Sequence, residues 1–147
     1  MPQAETQQFG SIPYEASEAI EFPNGLPAFE SERAFLLIER AETRPVVFLQ
    51  SLQNKSLCFV TLPVATVDPG YELAISEEDG RTLGLESEGG GTGRNLSCLA
   101  VLSVTESRPT ANLLAPVVVN RAANVGVQAI RMDNRYSHQH PLGAICS

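Results

Sequence analysis

Eight short apolar runs set apart by turn-forming residues constrain the fold of this chain more than any other feature. They are Ala19 to Phe22, Ala34 to Ile38, Val46 to Leu49, Leu57 to Leu62, Tyr71 to Ile75, Leu96 to Val104, Leu113 to Val119 and Val127 to Met132. Runs of this length with turn signals between them read as strands, and their succession predicts an all-β barrel or sandwich. The clearest is Val117-Val118-Val119, β-branched throughout and so stiff at χ1 and suited to a pleated surface. Pro116 cannot donate a ladder hydrogen bond, which puts it at the first residue of that strand or on a sheet edge. Asn120 to Gly126 supplies Asn, Ala and Gly before the next apolar run, so the two strands form a hairpin or meander unit.

The punctuation agrees with that reading. Pro23-Asn24-Gly25 and Asp68-Pro69-Gly70 each join a preset φ to residues tolerant of positive φ, as tight turns require. Gln53-Asn54-Lys55-Ser56 separates two β-like runs as a hairpin loop would. One segment departs from β. Ser76-Glu77-Glu78-Asp79 has the capping pattern of a Ser that accepts a helix N-terminal N–H with an acid three positions on, so a short helix is expected from about Glu77 to Leu83, weakened by Gly80 and Gly84. The expected architecture is a small single-domain, all-β, barrel-like fold of short antiparallel strands with one short helix. It would span residues 18–143, with a flexible leader at 1–17 and a tail at 144–147.

Composition bounds what such a domain does. No apolar run approaches the roughly 18–20 residues needed to cross a bilayer, so no membrane contact is expected. Met1 to Gly10 lacks the basic and apolar regions of a secretory signal, which makes the cytoplasm the default location. The net charge is −7, with six Glu and no Lys or Arg among the first 32 residues. A second acidic stretch runs from Glu72 to Glu88 against Arg81 alone, whereas Arg108, Arg121, Arg131 and Arg135 face a single acid, Asp133, near the C-terminus. Phosphate binding draws on a basic face, so direct binding of nucleic acid is disfavoured. A basic protein partner is the more natural inference, although surface acid also serves solubility.

Residues that carry chemistry do not assemble in the sequence. His138 and His140 are two apart, without a third ligand or the i,i+4 spacing of a helical zinc site. Cys58, Cys98 and Cys146 form an odd set without metal-ligand spacing; the first two lie in apolar runs as structural thiols, leaving Cys146 as the reactive candidate. Gly89-Gly90-Gly91-Thr92-Gly93 lacks the Gly-Lys-Ser/Thr of a P-loop and leads through Arg94-Asn95 into a strand-like run. There is no Gly-x-Ser-x-Gly nucleophile elbow, and the carboxylates at Glu77, Glu78 and Asp79 sit in a polar, solvated segment. No enzyme, metal or cofactor is expected. What remains is surface for binding, for example by adding an extended peptide to an exposed strand edge marked by Pro116. Asn112 and Asn120 bracket that strand and either hold turns or face a partner. Tyr71 and Tyr136 read equally as interface anchors or satisfied core tyrosines, and Gln128 alternates outward from an apolar run.

Gly25-Leu26-Pro27-Ala28-Phe29-Glu30, Phe48-Leu49-Gln50-Ser51-Leu52, Pro69-Gly70-Tyr71-Glu72-Leu73, Asn112 to Asn120, Gly126 to Ile130 and Tyr136 follow one another between about residue 19 and Leu142. Through these motifs, in this order, the chain resembles the flagellar assembly factor FliW family. Ala28 stands where the family usually has Gly, Leu62-Pro63 where an acid is common before Pro, and the 89–93 loop reads as a local insertion or replacement. The resemblance implies a small cytoplasmic β-barrel regulator, monomeric in isolation, that acts as a chaperone-like binder of newly made flagellin. It also implies binding to the RNA-binding translational repressor CsrA, away from its RNA-binding surface, so that flagellin and CsrA compete for the factor. On this view partner contact is expected among Asn112, Pro116, Asn120, Gln128 and Tyr136, with Glu77, Glu78 and Asp79 as a secondary acidic patch. Two other readings stand beside it: a small β-barrel that binds a flavin or nucleotide, and an oligonucleotide-binding barrel, which the acidic charge and absence of Trp disfavour.

Overall fold

The computed structural model describes residues 3–7, 9–26, 29–84, 96–105, 108–130 and 135–142. Seven strands close into a barrel in the order β7-β6-β5-β4-β3-β10-β9, and β9 pairs back onto β7. These strands are β3 (Ala19–Glu21), β4 (Ala34–Glu39), β5 (Val47–Ser51), β6 (Cys58–Pro63), β7 (Leu96–Thr105), β9 (Val117–Asn120) and β10 (Val125–Gln128). All neighbours are antiparallel except β10 and β3, which meet in parallel at Val125 and Glu21. β7 is long enough for two tasks. Leu96 to Leu99 pair with β9, while Leu102 to Thr105 leave the barrel and pair with β8 (Arg108–Ala111), to which β11 (His140–Pro141) adds.

The β-branched run at 117–119 is explained by its place. Val117 and Val119 pack inside the barrel with Phe22, Phe35, Leu49 and Leu99, whereas Val118 faces outward onto Leu83, Val127 and Ala129. A strand buried on both faces reads as a continuous apolar run. Pro116 immediately precedes β9 and its carbonyl accepts from the Ala129 N–H at 2.9 Å. The expected exposed edge is therefore corrected: β9 has strands on both sides, and Pro116 is fully buried. Its missing N–H costs the ladder nothing at that position.

Three further expectations are revised. Tyr71 to Ile75 is not a strand; its first N–H groups are taken by a turn, Tyr71 N–H to the Asp68 carbonyl, and by a side chain, Glu72 N–H to Tyr136 Oη. The expected single helix is accompanied by another. α2 (Glu77–Thr82) begins as foreseen, with Ser76 Oγ accepting from Asp79 N–H at 3.0 Å, but α1 (Val64–Val67) also forms directly after Pro63. Finally, the segment expected to be a leader contains β1 (Gln3–Thr6) and β2 (Gly10–Pro13), a separate hairpin on the outside of the barrel. Its Ala4 joins Leu36, Ile38 and Phe48, and Phe9 stacks edge-on against Phe48 at 4.9 Å. Apolar side chains on the outer face of β4 and β5 thereby gain a cover. The Gly89–Gly93 loop, Cys146, Pro27, Ala28, Arg131, Met132, Asp133 and the 144–147 tail lie outside the described residues.

Gly126 fixes how closely β10 approaches the core. A Cβ placed there would lie 2.7 Å from the ring of fully buried Phe22. Gly126→Ala should destabilise the chain by about 1–3 kcal/mol through overpacking, read as a fall in the urea midpoint. Gly80→Ala in exposed α2, where the added Cβ meets nothing within 4 Å, should be neutral or stabilising by up to about 1 kcal/mol.

Candidate functional site

Most side chains of a closed barrel are either core or solvated, so a binding face must be found where the closure is imperfect. One groove of about 340 Å³ reaches past the rim onto the inward-facing residues Phe59, Val101 and Val117. Leu26, Ala115 and Ile130 complete its apolar lining, and Asn112 and Gln128 supply its polar groups. Ile130 is 54% exposed, and Phe29, stacked edge-on against Phe59 at 5.6 Å, is 38% exposed. Exposed apolar side chains beside an apolar concavity make this groove the candidate binding surface among the described residues.

Both polar groups in the groove are held in place from one end. Asn112 Oδ1 accepts from the N–H groups of Leu114 and Ala115, at 3.1 and 2.9 Å, and so shapes the turn entering β9. Gln128 Nε2 donates to the Ala115 carbonyl at 2.8 Å. Neither Asn112 Nδ2 nor Gln128 Oε1 has a hydrogen-bond partner among the described residues. A donor and an acceptor thus remain, on opposite kinds of atom, beside an apolar slot.

A second concavity of about 230 Å³ shares Gln128 and is lined by Asn24, Gly25, Glu30, Asp79, Gly126 and Val127. Its two carboxylates come from different elements. Gly25, at φ 65° and with no room for a Cβ against Glu30, lets the Phe22–Glu32 loop double back. Asp79 comes from the first turn of α2, where Glu77 and Glu78 are exposed and Asp79 half-buried. Acids belong at that helix end on electrostatic grounds, so the patch has a structural cause as well as a potential for binding.

The remaining expected contacts separate by location. Asn120 lies at the other end of β9 and is buried; its Nδ2 donates to the Leu83 carbonyl at 2.7 Å and its Oδ1 accepts from Ala122 N–H at 3.1 Å. It therefore anchors the C-terminal end of α2 to the barrel rather than facing outward. Tyr136 stacks on Tyr71 with ring centroids 4.3 Å apart, accepts from Glu72 N–H, and neighbours the Arg135–Glu72 ion pair. Tyr71 Oη in turn donates to the Leu113 carbonyl at 2.8 Å, next to Asn112. Of the eight expected residues, Asn112 and Gln128 line the groove, Asp79 the adjoining concavity, and Pro116 lies buried between groove residues Ala115 and Val117. Leu26, Phe29, Phe59 and Ile130 were missed as site residues. Their apolar character hid them among core positions, and only the unlike neighbours Phe29 and Glu30 hinted at a surface.

Elsewhere the chemistry is quiet. Among the described residues no group of three His, Cys, Asp or Glu side chains could hold a metal ion. No described helix is long and apolar enough to cross a membrane. Burial pushes the Cys98 thiol up to about 12 and the Cys58 thiol up as well, so both stay protonated and unreactive near neutrality.

These features define a small closed β-barrel, extended by two strands and an N-terminal hairpin, with an apolar groove at one rim. The FliW protein family model matches residues 3–142, so it takes in the N-terminal hairpin as well as the barrel. The chain belongs to the FliW family. It is 33% identical to the flagellar assembly factor FliW of Syntrophomonas wolfei over 90% of this chain and 83% of that one. The corresponding proteins of Bacillus licheniformis and Bacillus subtilis are 31% and 28% identical, each over 94% of both chains. A crystal structure of the flagellar assembly factor FliW superposes with a TM-score of 0.83 at 28% identity, covering 96% of each chain.

Two outcomes follow from the site's construction. Asn120→Ala leaves the Leu83 carbonyl without its buried donor and should cost about 1–3 kcal/mol of stability in a denaturant titration. In the folded protein at pH 8, Cys98 should resist a thiol reagent, with labelling restored by denaturation, as mass spectrometry of the modified peptides would show.

Proposed function

We propose that this chain couples flagellin synthesis to flagellar assembly by binding two proteins in turn: flagellin, and the translational repressor CsrA. Free flagellin occupies the factor while it accumulates, leaving CsrA to block translation of the flagellin message. Export of flagellin frees the factor, which captures CsrA and restores translation. The chain works in the cytoplasm as a monomer, chaperone-like and without chemistry of its own.

The observation that carries this reading is the open apolar groove with an unsatisfied amide at each side, in a chain whose fold and sequence belong to the FliW family. The net charge of −7 supports it further, because an acidic domain attracts a basic partner at long range and repels nucleic acid. Antagonism of an RNA-binding repressor then proceeds by protein contact rather than by competition from this chain for RNA.

Isothermal titration calorimetry of the purified chain against flagellin and CsrA from its own organism tests the proposal. Each should bind alone, and saturating flagellin should displace CsrA. Added salt should weaken the CsrA complex chiefly through a slower association rate, measurable by stopped flow. Failure of both proteins to bind would overturn the reading.

A further inference from the structure

We propose that Asn24 is a site of spontaneous deamidation gated by the turn from Phe22 to Gly25: the reaction is shut off while the turn holds and proceeds when it opens. The inference concerns the chemical lifetime of the chain and does not depend on which partners it binds.

Asn24-Gly25 is the one Asn-Gly pair of the sequence. A following glycine puts no side chain in the way of ring closure, which makes this pair the most reactive setting for an asparagine in an open chain. The Gly25 backbone nitrogen loses its proton to hydroxide and attacks Asn24 Cγ. A new N–Cγ bond forms, the Cγ–Nδ2 bond breaks, and the side-chain nitrogen leaves as ammonia after taking a proton from water. Water then opens the cyclic imide. Cleavage at Cγ leaves an aspartate, and cleavage at the backbone carbonyl leaves an isoaspartate, whose main chain is longer by one methylene.

The fold opposes each requirement of that reaction. The Gly25 N–H donates to the Phe22 carbonyl at 2.8 Å, so the proton that must leave is held. Among the described residues Asn124 is the only non-glycine with positive φ, so Asn24, after Pro23, occupies the third position of a type I turn, with ψ near about 0°. In that conformation the Gly25 nitrogen is turned away from the side chain, and the backbone of Asn24 must rotate before the ring closes. The turn is also locked from behind. Gly25 sits at φ 65°, where a Cβ would come within 2.5 Å of the Glu30 backbone, and Leu26 and Phe29 exchange N–H to carbonyl bonds across the loop. Asn24 itself is exposed, so water and hydroxide reach it and the backbone alone is the gate. The products bear on the rim. Conversion of Asn24 adds a carboxylate to the concavity that Glu30 and Asp79 also line. The isoaspartate form breaks the spacing of the turn and displaces the loop that carries Leu26, which lines the apolar groove, and Phe29, which stacks on Phe59.

The test incubates the full chain at pH 8, folded in buffer and in parallel unfolded in guanidinium chloride, and follows the peptide containing Asn24 by mass spectrometry. The unfolded chain should convert Asn24 ahead of its other asparagines. The folded chain should convert it at least about tenfold more slowly, because only the fraction with an open turn reacts. Hydrogen exchange at the Gly25 amide should be slow in the folded chain, since both processes need that N–H released. Pro23→Ala, which frees the φ that proline presets, should speed exchange at Gly25 and deamidation of Asn24 together. Comparison of the folded and unfolded chains needs no variant, so it stands even where Pro23→Ala fails to fold. Equal rates in the folded and unfolded chains would overturn the proposal, because the turn would then gate nothing. An unfolded chain that leaves Asn24 intact would overturn it too, and so would rapid exchange at Gly25 in a folded chain that deamidates slowly.

Discussion

Antiparallel pairing of β7 with β9, from Leu96 opposite Asn120 to Leu99 opposite Val117, is the contact on which the molecule depends. It turns an open sheet into a barrel and removes the edges that an open sheet would expose. It also places a β-branched strand where both faces are buried, so Val117 and Val119 complete the interior while Val118 seats α2. Between Leu99 and its partner Val117 the chain passes through β8 and the turn at Asn112 before it returns to close the barrel. The groove at the rim is a by-product of the same closure. Where β9 begins, the chain has just left the Asn112 turn, and the rim there stays open between Leu26, Phe59, Ala115 and Ile130.

The amides at this rim each make one structural bond and leave one polar atom at the groove. Asn112 spends its oxygen on the turn, and Gln128 spends its nitrogen on the Ala115 carbonyl. Each retains the opposite kind of group at the groove, in an orientation fixed by the bond already made. Asn120 does the related task at a distance, holding the acidic first turn of α2 in place through its other end. A network that is satisfied on its inner side is rigid and specific, while the unsatisfied atoms at its outer side gain most from a partner.

Much of this was legible in the sequence, because strand formation here follows apolar runs and turn residues. Val117 to Val119, Phe35 to Ile38 and Val47 to Leu49 are strands for the reasons their side chains give. Ser76 announced α2 by its capping pattern. Tyr71 to Ile75 misled because its residues take no ladder partner: Tyr71 is held by a stack with Tyr136, Leu73 is exposed, and Ile75 packs beside Leu83 and Val118. β8 was invisible for the converse reason: Arg108-Pro109-Thr110-Ala111 has no apolar run and becomes a strand only because the outer half of β7 is present to pair with it. The N-terminal hairpin likewise takes its form from the apolar outer face of β4 and β5, with little alternation of its own to betray it. Site residues were legible only where polar. Asn112, Gln128 and Asp79 stood out, but Leu26, Phe59 and Ile130 look like core until closure of the barrel decides which apolar side chains reach the rim.

Hydrogen–deuterium exchange of the chain, alone and with flagellin, addresses most directly the claim that the groove is where this factor meets its partners. Protection should rise at 112–117 and 126–130 and change little in the β1–β2 hairpin. Protection confined to the hairpin or to the β8–β11 extension would contradict it, because the partner would then be held by a surface remote from the barrel's open rim.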